Sequence, residues 1–281
     1  MQYGDPGNLG SFPPDAVEVL KFNIGFDDPS LLRDRLKGVS DVFHLAAEKH
    51  NQSKNRPDDV MRANVLGMHQ LLEMLVENGM RKIVFTSSLY AYGRMHEPAT
   101  REDDPLQPST TYGLSKVCGE ELMAYVQRRY GVASNTLRLY FIYGPRQYAG
   151  MGYKSLIVKT FERILQGEPP VVHGDGLQAL DYVYVDDAVD ATRQAMESAV
   201  QGEVFNVSSG QANSVNSVVQ AMLKVAESDL KPTHDEPDWT AGSCRVGNSA
   251  KAQAMLGWSP RVSLEQGLAQ TYQWVKEQRH Q

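Results

Sequence analysis

The sequence predicts an α/β protein: a doubly wound parallel sheet with helices on both faces, followed by a smaller C-terminal lobe. Two observations carry that class. Short apolar runs alternate with stretches of helical period as far as Pro145, and the alternation then gives way to shorter, mixed elements. The chain has 281 residues, 41% of them hydrophobic, which is room and material for one large domain or two closely packed ones.

The elements follow in order. Residues 17–24 (VEVLKFNI) predict a strand, and 29–39 (PSLLRDRLKGV) a helix with apolar residues at 31, 32 and 36 and Gly38 at its end. A second strand is expected at 41–47 (DVFHLAA). A long helix is expected at 58–78, apolar at 61, 65, 68, 72, 75 and 76 and stopped by Asn78-Gly79. A third strand at 82–88 (KIVFTSS), a helix at 111–129 and a fourth strand at 136–144 (TLRLYFIYG) complete a β-α-β-α-β-α-β order. That order implies parallel strands, whose ligands bind beyond the carboxyl ends. After Pro145, the loop YAGMGYK leads to a helix near 154–166. Strands are then expected in VVHGDG, DYVYV and EVFNVSSG, with a helix beginning at Asp186-Asp187. Three helical segments end the chain, the last opened by a Ser263/Gln266 capping box. The division this suggests is 1–150, with 181–208 returning to it, against a lobe drawn mainly from 151–281.

Composition narrows the function classes. Lys and Arg number 28 and Asp and Glu 34, a net charge of −6, which argues against a nucleic-acid or anionic-membrane surface. Cys118 and Cys244 form neither a disulfide framework nor a zinc spacing, and the seven histidines are scattered, so no metal site is expected. No apolar run nears the roughly 18 residues that span a bilayer. The expectation is a soluble, cytoplasmic protein.

Gly4, Gly7 and Gly10 stand at G-x-x-G-x-x-G intervals, the pattern of a pyrophosphate-binding turn. Such a turn needs a strand before it and a helix N-terminus after it. Only three residues precede Gly4, Pro6 removes an N–H from the loop, and Pro13-Pro14 forbid a helix interior. The sequence therefore predicts a surface loop here.

The strongest chemical signal is YGLSK at 112–116. Tyr112 and Lys116 stand four apart at the start of a helix and share a face. A phenol titrates near pH 10 and needs a neighbouring cation to act as a base at neutral pH. The preceding strand ends in TSSLYAYG, which places Ser87 and Ser88 at the carboxyl edge of the sheet. A hydroxyl there can hydrogen-bond a reacting oxygen.

Ser88, Tyr112 and Lys116, with HLAA at 44–47, LRLYFIYGP at 137–145 and GDGLQALDYVYVDD at 174–187, resemble the extended short-chain dehydrogenase/reductases. The subgroup is the NAD-dependent nucleotide-sugar epimerase/dehydratase family, of UDP-glucose 4-epimerase type. The resemblance runs from about residue 17 to LGWSP at 256–260. It implies a Rossmann domain holding NAD and a smaller lobe for the nucleotide sugar. It implies Tyr112 as the base, Lys116 as its partner and ribose ligand, and Ser88 facing the sugar hydroxyl. Leu45, Ala46, Ala47, Lys49, Asn64 and Ser87 fall at positions near the cofactor; bracing of the helix is an equal reading for Asn64. The helices at 58–78 and 111–129 pair across a homodimer in many relatives.

The sequence also departs from that family. The first strand, true glycine turn, helix and second strand are missing, about 40 residues by the lengths of such elements. The family's third strand would be 17–24, with Asn23 where an adenine-contacting aspartate is usual. The expectation is a sheet lacking its N-terminal strands, an open edge on strand 41–47 and weak NAD binding, in a gene fragment or a chain called from a late start. The segment that selects NAD over NADP is absent with them. Phe141 replaces an Asn or Thr that touches the sugar nucleotide, and Leu180 an arginine that grips the diphosphate; Arg146 or Arg245 can supply that charge.

The 4,6-dehydratases carry an acid pair after the strand-end hydroxyl residue, where this chain has Leu89 and Tyr90. C4 epimerisation asks only for the base, its partner and NAD, so epimerase is the expected activity. Decarboxylase or reductase chemistry follows, and a cofactor-free pseudoenzyme is the alternative of another class.

Overall fold

The computed structural model describes residues 6–13, 15–93, 95, 99–147, 155–238 and 240–279. A short 3-10 turn, Pro6–Leu9, carries part of the glycine-spaced segment, with Gly10 N–H donating to Gly7 O at 3.1 Å. Gly4 lies outside the described residues. No strand precedes this turn among them and no α-helix follows directly.

The expected strand at 17–24 does not form: the segment is irregular, with Val19 48% and Leu20 41% exposed. Extended backbone needs a ladder partner for its N–H and C=O groups, and no described strand lies beside it. The helix expected at 29–39 shrinks to a 3-10 turn, Pro29–Leu32, capped by Asp28 and followed by turns. Leu32 is its buried anchor, and Leu31 is exposed.

Strand β1 is Asp41–His44, shorter than the expected 41–47. Helix α1 is His50–Asn55 and α2 is Pro57–Met61; a π-helical stretch, Arg62–Gly67, leads into α3, Met68–Glu77. The long helix expected at 58–78 is thus present with its register widened midway. Strand β2, Lys82–Ser88, is buried at nearly every position. Helix α4, Thr111–Tyr130, opens on Thr110, whose hydroxyl accepts from Gly113 N–H at 3.0 Å, and closes on Gly131 at φ 71°.

The apolar run 136–144 is two strands. Strand β3 is Ala133–Leu139 and β4 is Phe141–Tyr143. Tyr140 between them donates its N–H to Val207 O at 3.2 Å, and Phe141 N–H goes to Asp181 O at 3.1 Å. There the chain passes from one sheet to another.

The rest of the chain alternates as expected. Helix α5 is Leu156–Leu165; β5 is Val171–His173, β6 Ala179–Leu180 and β7 Tyr182–Tyr184. Helix α6, Val185–Glu197, leads to β8, Glu203–Val207, then β9, Asn213–Ser214, and α7, Val215–Val225. Strand β10 is Thr233–Asp235 and β11 is Cys244–Arg245; α8, Ala250–Leu256, and α9, Leu264–Gln278, close the chain. The capping box at Ser263 and Gln266 forms.

The main sheet is parallel in the order β1-β2-β3-β8, so β8 returns to the first half of the chain. Strand β1 lies at the rim, with Phe43 47% and Leu45, just beyond it, 58% exposed. Strand β4 pairs with β7, and β6 lies between β11 and β9. One apolar cluster packs α3 and α4 on one face of β2, around Met68, Leu72, Ile83, Phe85 and Met123. Another packs α6 and Trp258 on the opposite face, around Val84, Leu137 and Phe205. A third unites α5, α7 and α9 around Phe161, Met222 and Leu268. The carboxyl ends of β1, β2 and β3 face this last group of elements across a cleft.

Candidate active site

The cleft, about 530 Å³, is lined by Leu45, Ala47, Lys49, Ser87, Ser88, Tyr112, Lys116 and Phe141 among the expected residues. Ser88 is the last residue of β2 and caps the 3-10 turn Leu89–Ala91. Tyr112, in the first turn of α4, stands beside the Ser88 hydroxyl, which favours its ionised form. Gly113 makes this approach possible, since a Cβ there would lie 2.3 Å from Tyr90 O. One turn on, Lys116 is 3% exposed, and its ammonium donates to Thr86 O at 2.8 Å. It sits 5.0 Å from the centroid of Phe85 and 5.6 Å from that of Tyr112. The three residues of the expected constellation are together.

Their electrostatics differ from expectation. Burial pushes the Tyr112 phenol up to about 12, against a lowering by the Ser88 hydroxyl. Burial pulls Lys116 down to about 8, partly offset by the Glu120 carboxylate. Desolvation opposes both charged forms. Tyr112 is held as a neutral phenol.

Two aromatic residues that sequence reasoning did not place complete the wall. His50 stacks on Tyr90 at 4.4 Å, and Tyr90 meets Tyr112 edge-on at 5.6 Å. Burial, with Lys54 and Arg245 nearby, brings His50 down to about 4, so the ring is neutral. Tyr90 stands two residues beyond Ser88, and His50 directly follows Lys49, which is the signal that could have found them. The far end of the cleft is lined by Gln147, Ser155, Gln178, Tyr182, Asp238 and Thr240. Gln178 donates to His173 O at 3.1 Å, and Ser155 to Gln147 Oε1 at 2.6 Å.

Other expected residues lie elsewhere. Asn64 is buried outside the cleft lining: its side-chain oxygen accepts from Glu48 N–H at 2.7 Å, and its amide donates to Glu48 O and Ser115 Oγ, both at 3.0 Å. It ties the loop 45–49 to α4 through these bonds. Ala46 does not line the cleft, although Leu45 and Ala47 on either side do. Ser87 lines it, but its hydroxyl donates to Glu120 Oε1 at 2.5 Å. Arg146, at φ 63°, is outside the lining. Arg245 is beside it, its guanidinium 5.8 Å from the Tyr90 ring centroid and directly opposite Leu180 in the β6–β11 register. The loop YAGMGYK falls outside the described residues.

The residues present fit the nicotinamide–ribose end of a dinucleotide. An ammonium has three protons to give, and Lys116 spends one on Thr86 within a cleft walled by the small Ala47 and the apolar Leu45. The described residues contain no strand–glycine–helix turn that would cradle a pyrophosphate.

Comparison with known proteins agrees with this architecture. The sequence model of the NAD dependent epimerase/dehydratase family matches residues 15–208, and the chain belongs to that family. It is 32% identical over 273 residues to a putative UDP-glucose 4-epimerase of Methanocaldococcus jannaschii, covering 96% of this chain and 87% of that protein. It is also 32% identical to a UDP-N-acetyl-alpha-D-glucosaminuronate decarboxylase of Bacillus cytotoxicus, over 95% of this chain and 84% of the relative. The crystal structure of UDP-glucose 4-epimerase with UDP-glucose from Thermotoga maritima superposes with a TM-score of 0.88 at 31% identity, covering 97% of this chain and 90% of that one.

Proposed function

We propose that the chain is an NAD-dependent nucleotide-sugar epimerase that transiently oxidises C4 of a UDP- or related nucleoside-diphosphate hexose. The observation that carries this is the meeting of Ser88, Tyr112 and Lys116 at the end of β2, with Leu89 and Tyr90 rather than carboxylates directly after Ser88. Leu89 is core and Tyr90 is wall, so neither position carries the acid pair that 4,6-dehydration asks.

In this reading NAD, when bound, takes up and returns the C4 hydride. Ser88 receives the sugar 4-hydroxyl and passes its hydrogen bond to Tyr112. The Lys116 ammonium, 5.6 Å from the ring, is the charge that favours the phenolate when the sugar proton is taken. The neutral phenol favoured by burial is the form that gives the proton back. Lys116, Tyr112, Leu45 and Ala47 hold the nicotinamide–ribose, while Lys49 and the Asn64-braced loop close that side. His50 and Tyr90 offer an aromatic face to the sugar. Phe141 packs on the nucleotide sugar, and Arg245, with Arg146 as the second cation, meets the diphosphate that Leu180 cannot.

The assignment of 1–150 with 181–208 to the cofactor side, and of 151–281 mainly to the substrate side, is supported by the return of β8 to the main sheet. A homodimer through the helical stretches over 58–78 and 111–129 is supported by Leu66 and Leu114 on them, 53% and 45% exposed. A cytoplasmic location accords with this substrate class; no helix of the described residues is long and apolar enough to cross a membrane. The test is a panel of nucleotide sugars with added NAD, followed by NMR of the products. C4 epimers from a UDP-hexose are expected; a 4-keto-6-deoxy or decarboxylated product would overturn the reading.

A further inference from the structure

Asp181 stands between β6 and β7, where the chain leaves the strand paired with β11 for the strand paired with β4, and it is fully buried. Its main chain serves both neighbours: the N–H donates to Arg245 O at 3.1 Å, and the O accepts from Phe141 N–H at 3.1 Å. Its carboxylate takes four donors, all of them neutral. Oδ1 accepts from Ser209 N–H at 2.7 Å and from the Ser209 hydroxyl at 2.6 Å. Oδ2 accepts from Gly210 N–H at 2.9 Å and from Gly247 N–H at 3.2 Å. Taking a carboxylate out of water is costly, and apolar packing often fills such a place without loss of stability.

What the carboxylate holds is the segment that carries Arg245. Strand β11 is two residues long and pairs with β6 alone, at the rim of a small sheet. Asp181 grips it twice: at Arg245 O through its own N–H, and two residues on, at Gly247 N–H, through its carboxylate. Gly247 also lies close against the cleft floor, since a Cβ there would be 2.5 Å from Tyr140 Cζ. From this base the Arg245 side chain runs toward the cleft, its Nε donating to Ser243 Oγ at 3.3 Å and its guanidinium 5.8 Å from the Tyr90 ring centroid.

We propose that Asp181 is a positioning residue for the nucleotide sugar: by gripping Gly247, its carboxylate fixes the base from which Arg245 reaches the diphosphate. The proposal rests on the function proposed above, in which Arg245 meets that group. An amide in the same place cannot do this. Asparagine keeps one oxygen for Ser209, but its NH2 group then faces two further donors, the N–H groups of Gly210 and Gly247. The main-chain bonds to Arg245 and Phe141 survive the change, so Asp181→Asn releases the Gly210 and Gly247 side of the clamp.

The experiment is calorimetric binding of UDP and of uridine to the parent chain, Asp181→Asn, Arg245→Ala and the double variant. Asp181→Asn is expected to weaken UDP about tenfold, the scale of a lost hydrogen bond to a charged group, and to leave uridine unchanged, since uridine has no phosphate. In the Arg245→Ala background the same change should weaken UDP by less than about twofold, because the residue it acts through is gone. Equal losses in both backgrounds, the result of a general loosening of the fold, overturn the proposal. So does a UDP affinity equal to the parent's in folded Asp181→Asn. If that variant does not fold, Ser209→Ala removes only the 2.6 Å bond to the carboxylate. A loss of about threefold for UDP and none for uridine is expected there, and equal UDP affinity overturns the proposal. A further readout needs no ligand: the Arg245 Nε–H signal in NMR, assigned by its loss in Arg245→Lys, shifts and exchanges faster with solvent in Asp181→Asn. A parent chain that does not bind UDP strikes the function proposed above, whereas an unchanged arginine signal strikes this proposal alone.

Discussion

Asn64 donates to the Ser115 hydroxyl at 3.0 Å, and that bond joins the loop after β1 to the helix that carries Tyr112 and Lys116. Ser115 itself donates to Tyr112 O at 2.8 Å. The π-helical stretch at Arg62–Gly67 holds Asn64, and such insertions re-aim a side chain from the regular register.

Asn64→Ala removes three hydrogen bonds, the one to Ser115 buried and the two to Glu48 partly so, and leaves Glu48 N–H without that acceptor. A loss of about 2–4 kcal/mol is expected from what buried unsatisfied groups cost. Urea unfolding at constant slope measures it, and a change under 0.5 kcal/mol would show that the loop does not depend on this brace.

Tyr112→Phe is expected to reduce C4 epimerisation by 10²–10⁴-fold, the range of general acid–base catalysis, while the midpoint of thermal unfolding stays close to that of the parent chain. Product NMR on a UDP-hexose checks it; turnover equal to the parent's would remove Tyr112 from the proton path.

His44 supplies a pH signature of stability. Its ring is buried and stacked on Phe85 at 5.9 Å, and its titration falls from 6.5 to about 4. The unfolded chain binds this proton first as pH drops. Stability is therefore lost from about pH 6.5 down to about pH 4, by at most on the order of 3 kcal/mol. His44→Phe keeps the stack and should flatten the unfolding free energy over that window relative to the parent. Parallel pH slopes in the two proteins would contradict it.

Gly113→Ala places a methyl 2.3 Å from Tyr90 O, a backbone atom that cannot swing away. A cost of about 1–3 kcal/mol is expected from overpacking, with Tyr112 displaced from Ser88. The measurements are the unfolding midpoint and epimerase turnover, and both should fall.

Arg245→Ala is expected to raise KM for nucleoside-diphosphate sugars about tenfold or more, with kcat changed far less, the signature of a group that binds ground and transition states alike. Equal KM values for the two proteins would place the diphosphate elsewhere.

Much of this was legible in the sequence where the cause is local. Helix α9 announces itself through Ser263 and Gln266, β2 through its apolar run, and the Tyr112–Lys116 pair through its spacing together with the serine-ended strand before it. What failed to be legible depends on distant partners. Residues 17–24 have strand composition but no ladder to join. Asn64 bonds residues 16 and 51 positions away, and Arg138 meets Glu120 across 18. The run 136–144 reads as one strand, since nothing apolar marks Tyr140 as the point where the pairing partner changes. The rise in the Tyr112 titration escaped for a related reason: spacing shows that a lysine is near, while burial is a property of the folded cleft.

That change of partner at Tyr140 has a mechanical meaning. Leu139, Tyr140, Phe141 and Ile142 all line the cleft, and the backbone is tied to Val207 on one side of the seam and to Asp181 on the other. Asp181 is anchored in turn by Ser209, Gly210 and Gly247. The floor is therefore a stitched joint that fixes how far apart the two sets of strands stand. Accommodation of a larger or smaller sugar falls to the walls, His50, Tyr90 and the Gln147–Ser155 side, while the floor keeps its length like the spine of a book whose covers alone can turn.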